Sequence, residues 1–255
     1  MRAVDHVRSF DGTPIAFAVE GQGPAVLLLH GFAADHRANW VAPGVVAALV
    51  AAGRRVIATD ARGHGASGKP HEPAAYEGGA MLRDARAVLD HLGVGDVDVV
   101  GYSMGAMVAV RLAPDEPRMR ALVLGGIGGD ATPRRGAGTR RPLADALLTE
   151  DPAAIRDPTA KAFRRFAERT KADRQALAAL ERSAALRGPV LFDAVKVPTL
   201  VLVGEADALV GPPEDLVARL PDAWLERVPG DHLSAVAYPG FARAIVRFLE
   251  EKSPS

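Results

Sequence analysis

The sequence predicts an α/β protein, a mostly parallel central sheet flanked by helices with one small helical insertion. Three observations carry this. Short continuous apolar runs alternate with helical stretches along the chain, the pattern of strands buried on both faces and joined by crossover helices. The first two strand-like segments show two-residue alternation around a turn pair. Between Gly128 and Gly188 there is no strand-like run at all.

In order, segments 4–9 and 13–19 alternate around Asp11-Gly12, a strong hairpin pair, so an antiparallel edge begins the sheet. Buried strands are predicted at 25–29, 55–58, 97–100, 121–124 and 199–203, with 223–228 the last. Helices are predicted at 44–52, 78–92, 104–113, 214–220 and 240–250. The most apolar window, 41–53, is too short to cross a bilayer and is interrupted by Pro43 and Gly44, so it reads as a buried helix. Helical spacing at 158–170 and 173–186 predicts a cap over 129–188, inserted into a core formed by 1–128 and 189–255. Gly125-Gly126-Ile127-Gly128-Gly129 and Arg187-Gly188-Pro189 read as its exit and re-entry. The glycine run lacks the Gly-Lys-Ser/Thr ending of a phosphate loop, and a flexible hinge is expected there. The tail 252–255 is expected to be disordered.

Composition bounds the function. The chain has 255 residues, 48% hydrophobic, enough for one large domain with an insertion. Lys+Arg and Asp+Glu balance at 31 each, which removes the positive field that nucleic-acid binding requires. There is no cysteine, and hence neither a disulfide framework nor a thiolate site. Residues 1–9 carry charge without an apolar stretch behind them, unlike a secretory signal, and no window spans a membrane, so a cytoplasmic location is expected. The cap holds 13 Lys/Arg against 8 Asp/Glu, a net of +5. Solvated helix faces are the first reading of that excess, and attraction of an anionic substrate the second.

Ser103 is the nucleophile candidate. It sits in Gly101-Tyr102-Ser103-Met104-Gly105, between a β-branched run and a helical stretch, where a sharp strand-to-helix turn needs small neighbours and lifts the hydroxyl clear of the sheet. The turn also aims the Met104 amide at the place where an oxyanion would form. A serine hydroxyl needs a base, and the base an orienting acid. Asp207, after one predicted strand, and His232, after the last, are strand-end positions on the same sheet edge. Glu205 and Asp231 are rival carboxylates, and Asp231 stands too close to His232 in sequence to reach its far nitrogen. None of His6, His30, His36, His64, His71 and His91 follows the last strand, and no spaced ligand set suggests a metal.

His30-Gly31-Phe32, Asp60-Ala61-Arg62-Gly63-His64-Gly65-Ala66-Ser67-Gly68, the Ser103 elbow, and the Asp207 and His232 loops in that order make the chain resemble the α/β-hydrolase superfamily over nearly its whole length. The resemblance implies Ser103 as nucleophile, His232 as general base then acid, Asp207 as orienting carboxylate, and the Phe32 and Met104 backbone amides as oxyanion hole, with no cofactor. It also implies that epoxide- and halide-processing relatives carry an aspartate where this chain has Ser103, which leaves acyl transfer. The expectation is a carboxylesterase acting on a small to medium ester, thioester or lactone, in a pocket lined by the cap, Phe32, Trp40 and the Met104 neighbourhood. A carbon-carbon bond hydrolase, a perhydrolase or cofactor-free haloperoxidase, and a non-catalytic ligand-binding protein of the same fold are the alternatives. His30, His64 and the 60–68 segment are expected to brace loops. Oligomeric state, including a homo-oligomer, stays open.

Overall fold

The structure, a computed structural model, describes residues 4–129 and 141–253. Eight strands form one sheet in the order β1-β2-β4-β3-β5-β6-β7-β8. The hairpin β1 (Asp5–Arg8) and β2 (Pro14–Glu20) forms the antiparallel edge, closed where Gly12 takes a φ of +83° and the Thr13 amide donates to Asp11 Oδ1 at 3.0 Å. All strands from β3 onward run parallel: β3 (Ala25–Leu29), β4 (Arg55–Thr59), β5 (Val97–Tyr102), β6 (Met119–Gly125), β7 (Thr199–Gly204) and β8 (Ala223–Val228).

Two apolar layers sandwich the sheet. α1 (Val45–Ala51) and α8 (Pro239–Lys252) pack on one face, with Trp40, Phe241 and Leu249 at the centre. α2 (Ala80–His91), α3 (Met104–Leu112) and α7 (Pro213–Val217) cover the other. β4 and β5 lie on opposite sides of β3, so the chain reverses direction across the sheet there, and the carboxyl ends of β3 and β5 border a crevice.

Between β6 and β7 the described chain holds three α-helices, α4 (Arg141–Leu148), α5 (Pro158–Arg169) and α6 (Arg174–Arg182). Asp157 and Asp173 cap the last two by accepting from the Ala160 amide and from the Gln175 and Ala176 amides. They sit over the carboxyl edge of the sheet: Thr170 Oγ1 donates to the Ala33 carbonyl at 2.8 Å, and the Phe163 ring meets Phe32 edge-on at 5.8 Å.

Three expectations need correction. The 41–53 window is two pieces, the end of a π-helical turn (Arg37–Val41) and α1, separated where Gly44 adopts φ +83°. Gly125, Gly126 and Gly128 are close-packed positions in place of a flexible hinge. A Cβ on Gly125 or Gly126 would come within 2.7 and 2.9 Å of the Tyr102 ring, and one on Gly128 within 2.1 Å of the Gly211 carbonyl. At the C-terminus, Lys252 closes α8 and the Ser253 carbonyl accepts from the buried Arg54 at 3.0 Å, while residues 254–255 lie outside the described residues.

Candidate active site

Ser103 is the single residue between β5 and α3 and takes φ 51°, ψ −111°. A non-glycine residue held there stores about 1–3 kcal/mol, supplied by the packing around it. The flanking glycines make that packing possible. A Cβ on Gly101 would lie 2.4 Å from the Gly105 carbonyl oxygen, and one on Gly105 2.0 Å from that of Leu29, so α3 could not start this close to the sheet. The Ser103 amide donates to the Gly125 carbonyl at 2.7 Å, tying the turn to β6.

The structure brings three of the predicted residues into one hydrogen-bonded series. Ser103 Oγ is 2.9 Å from His232 Nε2, and His232 Nδ1 is 2.8 Å from Asp207 Oδ2. An ionised carboxylate only accepts, so Nδ1 carries the proton and Nε2 is left to receive one from the serine hydroxyl. The Asp207 side chain is fully buried, and its Oδ1 accepts from the Leu209 amide at 3.0 Å. Tyr102 supports the imidazole from beneath: its hydroxyl donates to the His232 carbonyl at 2.8 Å, and burial raises its pKa, which keeps the donor proton in place. Neither rival carboxylate joins. The Glu205 side chain is exposed. Asp231 accepts from Ser234 Oγ and from the Leu233 and Ser234 amides, bonds that hold its pKa below the usual range and shape the turn that presents His232.

A cavity of about 60 Å³ opens on Ser103 and His232. Phe32, Phe163, Phe166, Leu233 and Val236 form most of its apolar wall, so α5 closes it from above. Met104 begins α3, and its amide therefore has no intrahelical acceptor. Among the described residues neither that amide nor the one of Phe32 has a protein acceptor. Trp40, expected beside the substrate, is instead fully buried on the α1/α8 face of the sheet, because the π-helical turn points its indole into the core. Asn39, its neighbour, lines the cavity and was not singled out in the sequence, where only its place eight residues after Gly31 sets it apart.

A second polar cluster lies beneath the loop that carries Phe32. Asp60 accepts from the His36 amide, from His36 Nδ1 and from the Ala66 amide, each at 2.8 Å, and these bonds with nearby His30 hold its pKa low against its burial. His30 Nε2 accepts from the Ala61 amide, which leaves the proton on Nδ1 to donate to the Gly31 carbonyl at 2.8 Å. Arg62 is fully buried and donates twice to Asp84 at 2.6 Å and once to Asp11 at 2.9 Å. These bonds tie the 60–68 segment to the rest of the core. Among the described residues there is no His/Cys/Asp/Glu group that could hold a metal ion, and no helix long and apolar enough to cross a membrane.

Comparison with known proteins bears on the fold. A family model described as the alpha/beta hydrolase fold matches residues 24–141. A hydrolase from Pseudomonas aeruginosa PA01 superposes with a TM-score of 0.77 at 26% identity, covering 96% of this chain and 98% of that one. A thermophilic esterase from Thermogutta terrifontis gives 0.77 at 27% identity, covering 98% and 99%. Epoxide hydrolase 2 of Siraitia grosvenorii is 36% identical over 125 residues, 48% of this chain and 39% of that protein. The chain spans between 28% and 39% of the length of such curated relatives. The fold is that of the α/β-hydrolase superfamily.

Proposed function

We propose that this member of the α/β-hydrolase superfamily is a serine hydrolase cleaving small to medium carboxylic esters through an acyl-enzyme on Ser103. The observation that carries the reading is the unbroken series Ser103–His232–Asp207, opening on an apolar cavity. In the first half-reaction Ser103 Oγ attacks the ester carbonyl while His232 Nε2 takes its proton, and the Asp207 carboxylate compensates the imidazolium. The Phe32 and Met104 amides receive the oxyanion. His232 then protonates the departing alcohol. In the second half-reaction a water attacks the acyl-enzyme through the same proton transfers, releasing the acid and restoring the hydroxyl. Thioesters and lactones pass through the same steps.

Epoxide opening fits this site poorly on chemical grounds. Attack by a serine oxygen on an epoxide carbon would leave an ether, which offers water no carbonyl and would end turnover, whereas a carboxylate nucleophile leaves a hydrolysable ester. Charge also bears on substrate class, since no Lys or Arg among the described residues lines the cavity. Two of the basic residues of the cap, 129–188 in this reading, are engaged away from the cavity: Arg164 donates to the Ala146 and Thr149 carbonyls at 2.7 Å and pairs with Glu168, and Arg182 faces Asp145. The apolar wall of the cavity favours a neutral acyl group.

The test is hydrolysis of p-nitrophenyl esters from acetate to decanoate by the wild type and by Ser103→Ala. Turnover should peak at a short acyl chain, given the small cavity, and fall by at least about 10³-fold in the variant. Absence of turnover with every ester, together with resistance of Ser103 to a fluorophosphonate, would leave a ligand-binding protein.

A further inference from the structure

The cavity beside Ser103 contains a polar group that acyl transfer does not use. Asn39 is 6% exposed, and its Oδ1 accepts from the Gly31 amide at 2.9 Å. A backbone N–H can only donate, so this bond fixes which end of the carboxamide is oxygen and which is the NH₂ group. The NH₂ nitrogen, Nδ2, is buried and has no partner among the described residues. Buried donors are nearly always satisfied, and one left alone is costly enough to demand an explanation. Three other buried side-chain atoms share this condition, Trp40 Nε1, His64 Nε2 and Asp98 Oδ1, but of the four residues only Asn39 lines the cavity that holds Ser103.

Geometry brings the carboxamide close to the reacting centre. The position of a Cβ on Gly31 would be 3.4 Å from Asn39 Oδ1 and 3.5 Å from Ser103 Cβ, so Asn39 and the nucleophile approach the same glycine. Apart from Ser103, His232 and the Phe32 amide, which the acyl transfer uses, the rest of the described wall offers little that could hydrogen-bond. Phe32, Phe163, Phe166, Leu233 and Val236 are apolar, and the Tyr102 hydroxyl is already donated to the His232 carbonyl. The cavity, about 60 Å³, adjoins Ser103, where the acyl part of a bound ester would lie.

We propose that Asn39 Nδ2 is a specificity-determining donor, which selects acyl groups carrying an acceptor oxygen, ether, keto or hydroxyl, in addition to the carbonyl attacked by Ser103. A substrate with such an oxygen satisfies the orphan N–H, whereas an all-carbon chain of the same shape leaves it buried and unpaired, the asymmetry by which polar sites reject isosteres. The kinetic part of the test rests on the esterase reading, and the second part does not.

In the first part, p-nitrophenyl methoxyacetate is compared with the butanoate, and the 3-methoxypropanoate with the pentanoate, each pair differing by oxygen for CH₂. Intrinsic reactivity cancels when the kcat/KM ratio within a pair is compared between the wild type, Asn39→Asp and Asn39→Ala. Asn39→Asp keeps the acceptor for the Gly31 amide and removes the donor. The ratio should fall about tenfold in both variants for at least one pair. In the second part, the Asn39 side-chain NH₂ resonance of ¹⁵N-labelled Ser103→Ala protein, identified by its loss when Asn39→Asp is added, is followed during titration with methoxyacetone and with 2-pentanone. It should move with the oxygen-bearing ketone and not with its isostere. Unchanged ratios, or a resonance that responds to both ketones alike or to neither, would overturn the proposal. Selective movement without any ester turnover would instead retain the donor site and remove the esterase reading.

Discussion

Two histidine–aspartate pairs stand at the same separation in this molecule. His232 Nδ1 lies 2.8 Å from Asp207 Oδ2, and His36 Nδ1 lies 2.8 Å from Asp60 Oδ1. Their surroundings differ. The Asp60 carboxylate also accepts the His36 and Ala66 amides, and both side chains of that pair are almost wholly buried under the Phe32 loop. In the other pair, the second ring nitrogen of His232 meets a hydroxyl held in a strained turn at the wall of a cavity. A histidine–carboxylate contact is therefore no chemistry in itself. What distinguishes the two is where the second nitrogen points and whether a ligand can reach it.

Exchanging each aspartate for asparagine separates the pairs most sharply. Asp207→Asn presents an NH₂ to Nδ1, drives the proton to Nε2 and removes the base, so kcat should fall on the order of 10⁴-fold while the melting temperature moves little. Asp60→Asn should do the reverse. The NH₂ of Asn would face a buried N–H that the carboxylate now accepts, and each donor left unpaired costs about 1–3 kcal/mol, visible in denaturant unfolding, with activity per folded molecule far less affected. Comparable losses of kcat in the two folded variants would erase the distinction.

Acid sharpens it further. Burial, with His30 close by, lowers the pKa of His64 to about 3 from an ordinary 6.5. The unfolded chain thus binds a proton at this position between those values that the folded protein does not, and stability should fall as pH drops from 6.5 toward 3. His30 is shifted in the same direction, mainly by burial. Unfolding midpoints measured at pH 7, 5.5 and 4.5 should decline in the wild type and decline less in His64→Gln. An equal decline would assign acid sensitivity elsewhere.

The smallest effect concerns the roof over the site. Thr170→Val removes the 2.8 Å bond to the Ala33 carbonyl, in a loop where Ala33 already has φ 60°. About 1 kcal/mol of stability should be lost, with a several-fold drop in kcat/KM as the Phe32 loop loosens. Unchanged kinetics would show that α5 covers the site without tuning it.

The fold was legible because its strands are continuous apolar runs with local boundaries: β3 and β8 fall on 25–29 and 223–228 as read, and β5, β6 and β7 exceed their predicted spans by one to three residues. Ser103, Asp207 and His232 were legible for a related reason, since each follows such a strand. What escaped depends on contacts distant in sequence. α4 is eight residues long and begins beside Pro142, and its terminal carbonyls are satisfied by Arg164 from another helix. The π-helical turn that buries Trp40 and turns Asn39 to the cavity has no periodic signature, and neither does the reach of the Tyr102 hydroxyl to the His232 carbonyl, 130 residues away. Glycines 125, 126 and 128 resembled a hinge because sequence does not reveal the side chain or backbone packed against them.

The most direct test of the central claim is to trap the intermediate. Rapid acid quench of the His232→Ala variant and of the wild type after mixing with p-nitrophenyl acetate, followed by peptide mass spectrometry, locates any acyl group. The account predicts acetyl on Ser103 in the wild type during turnover, with little formed in the variant. Acetyl on another residue, or steady wild-type turnover with Ser103 never acylated, would contradict it.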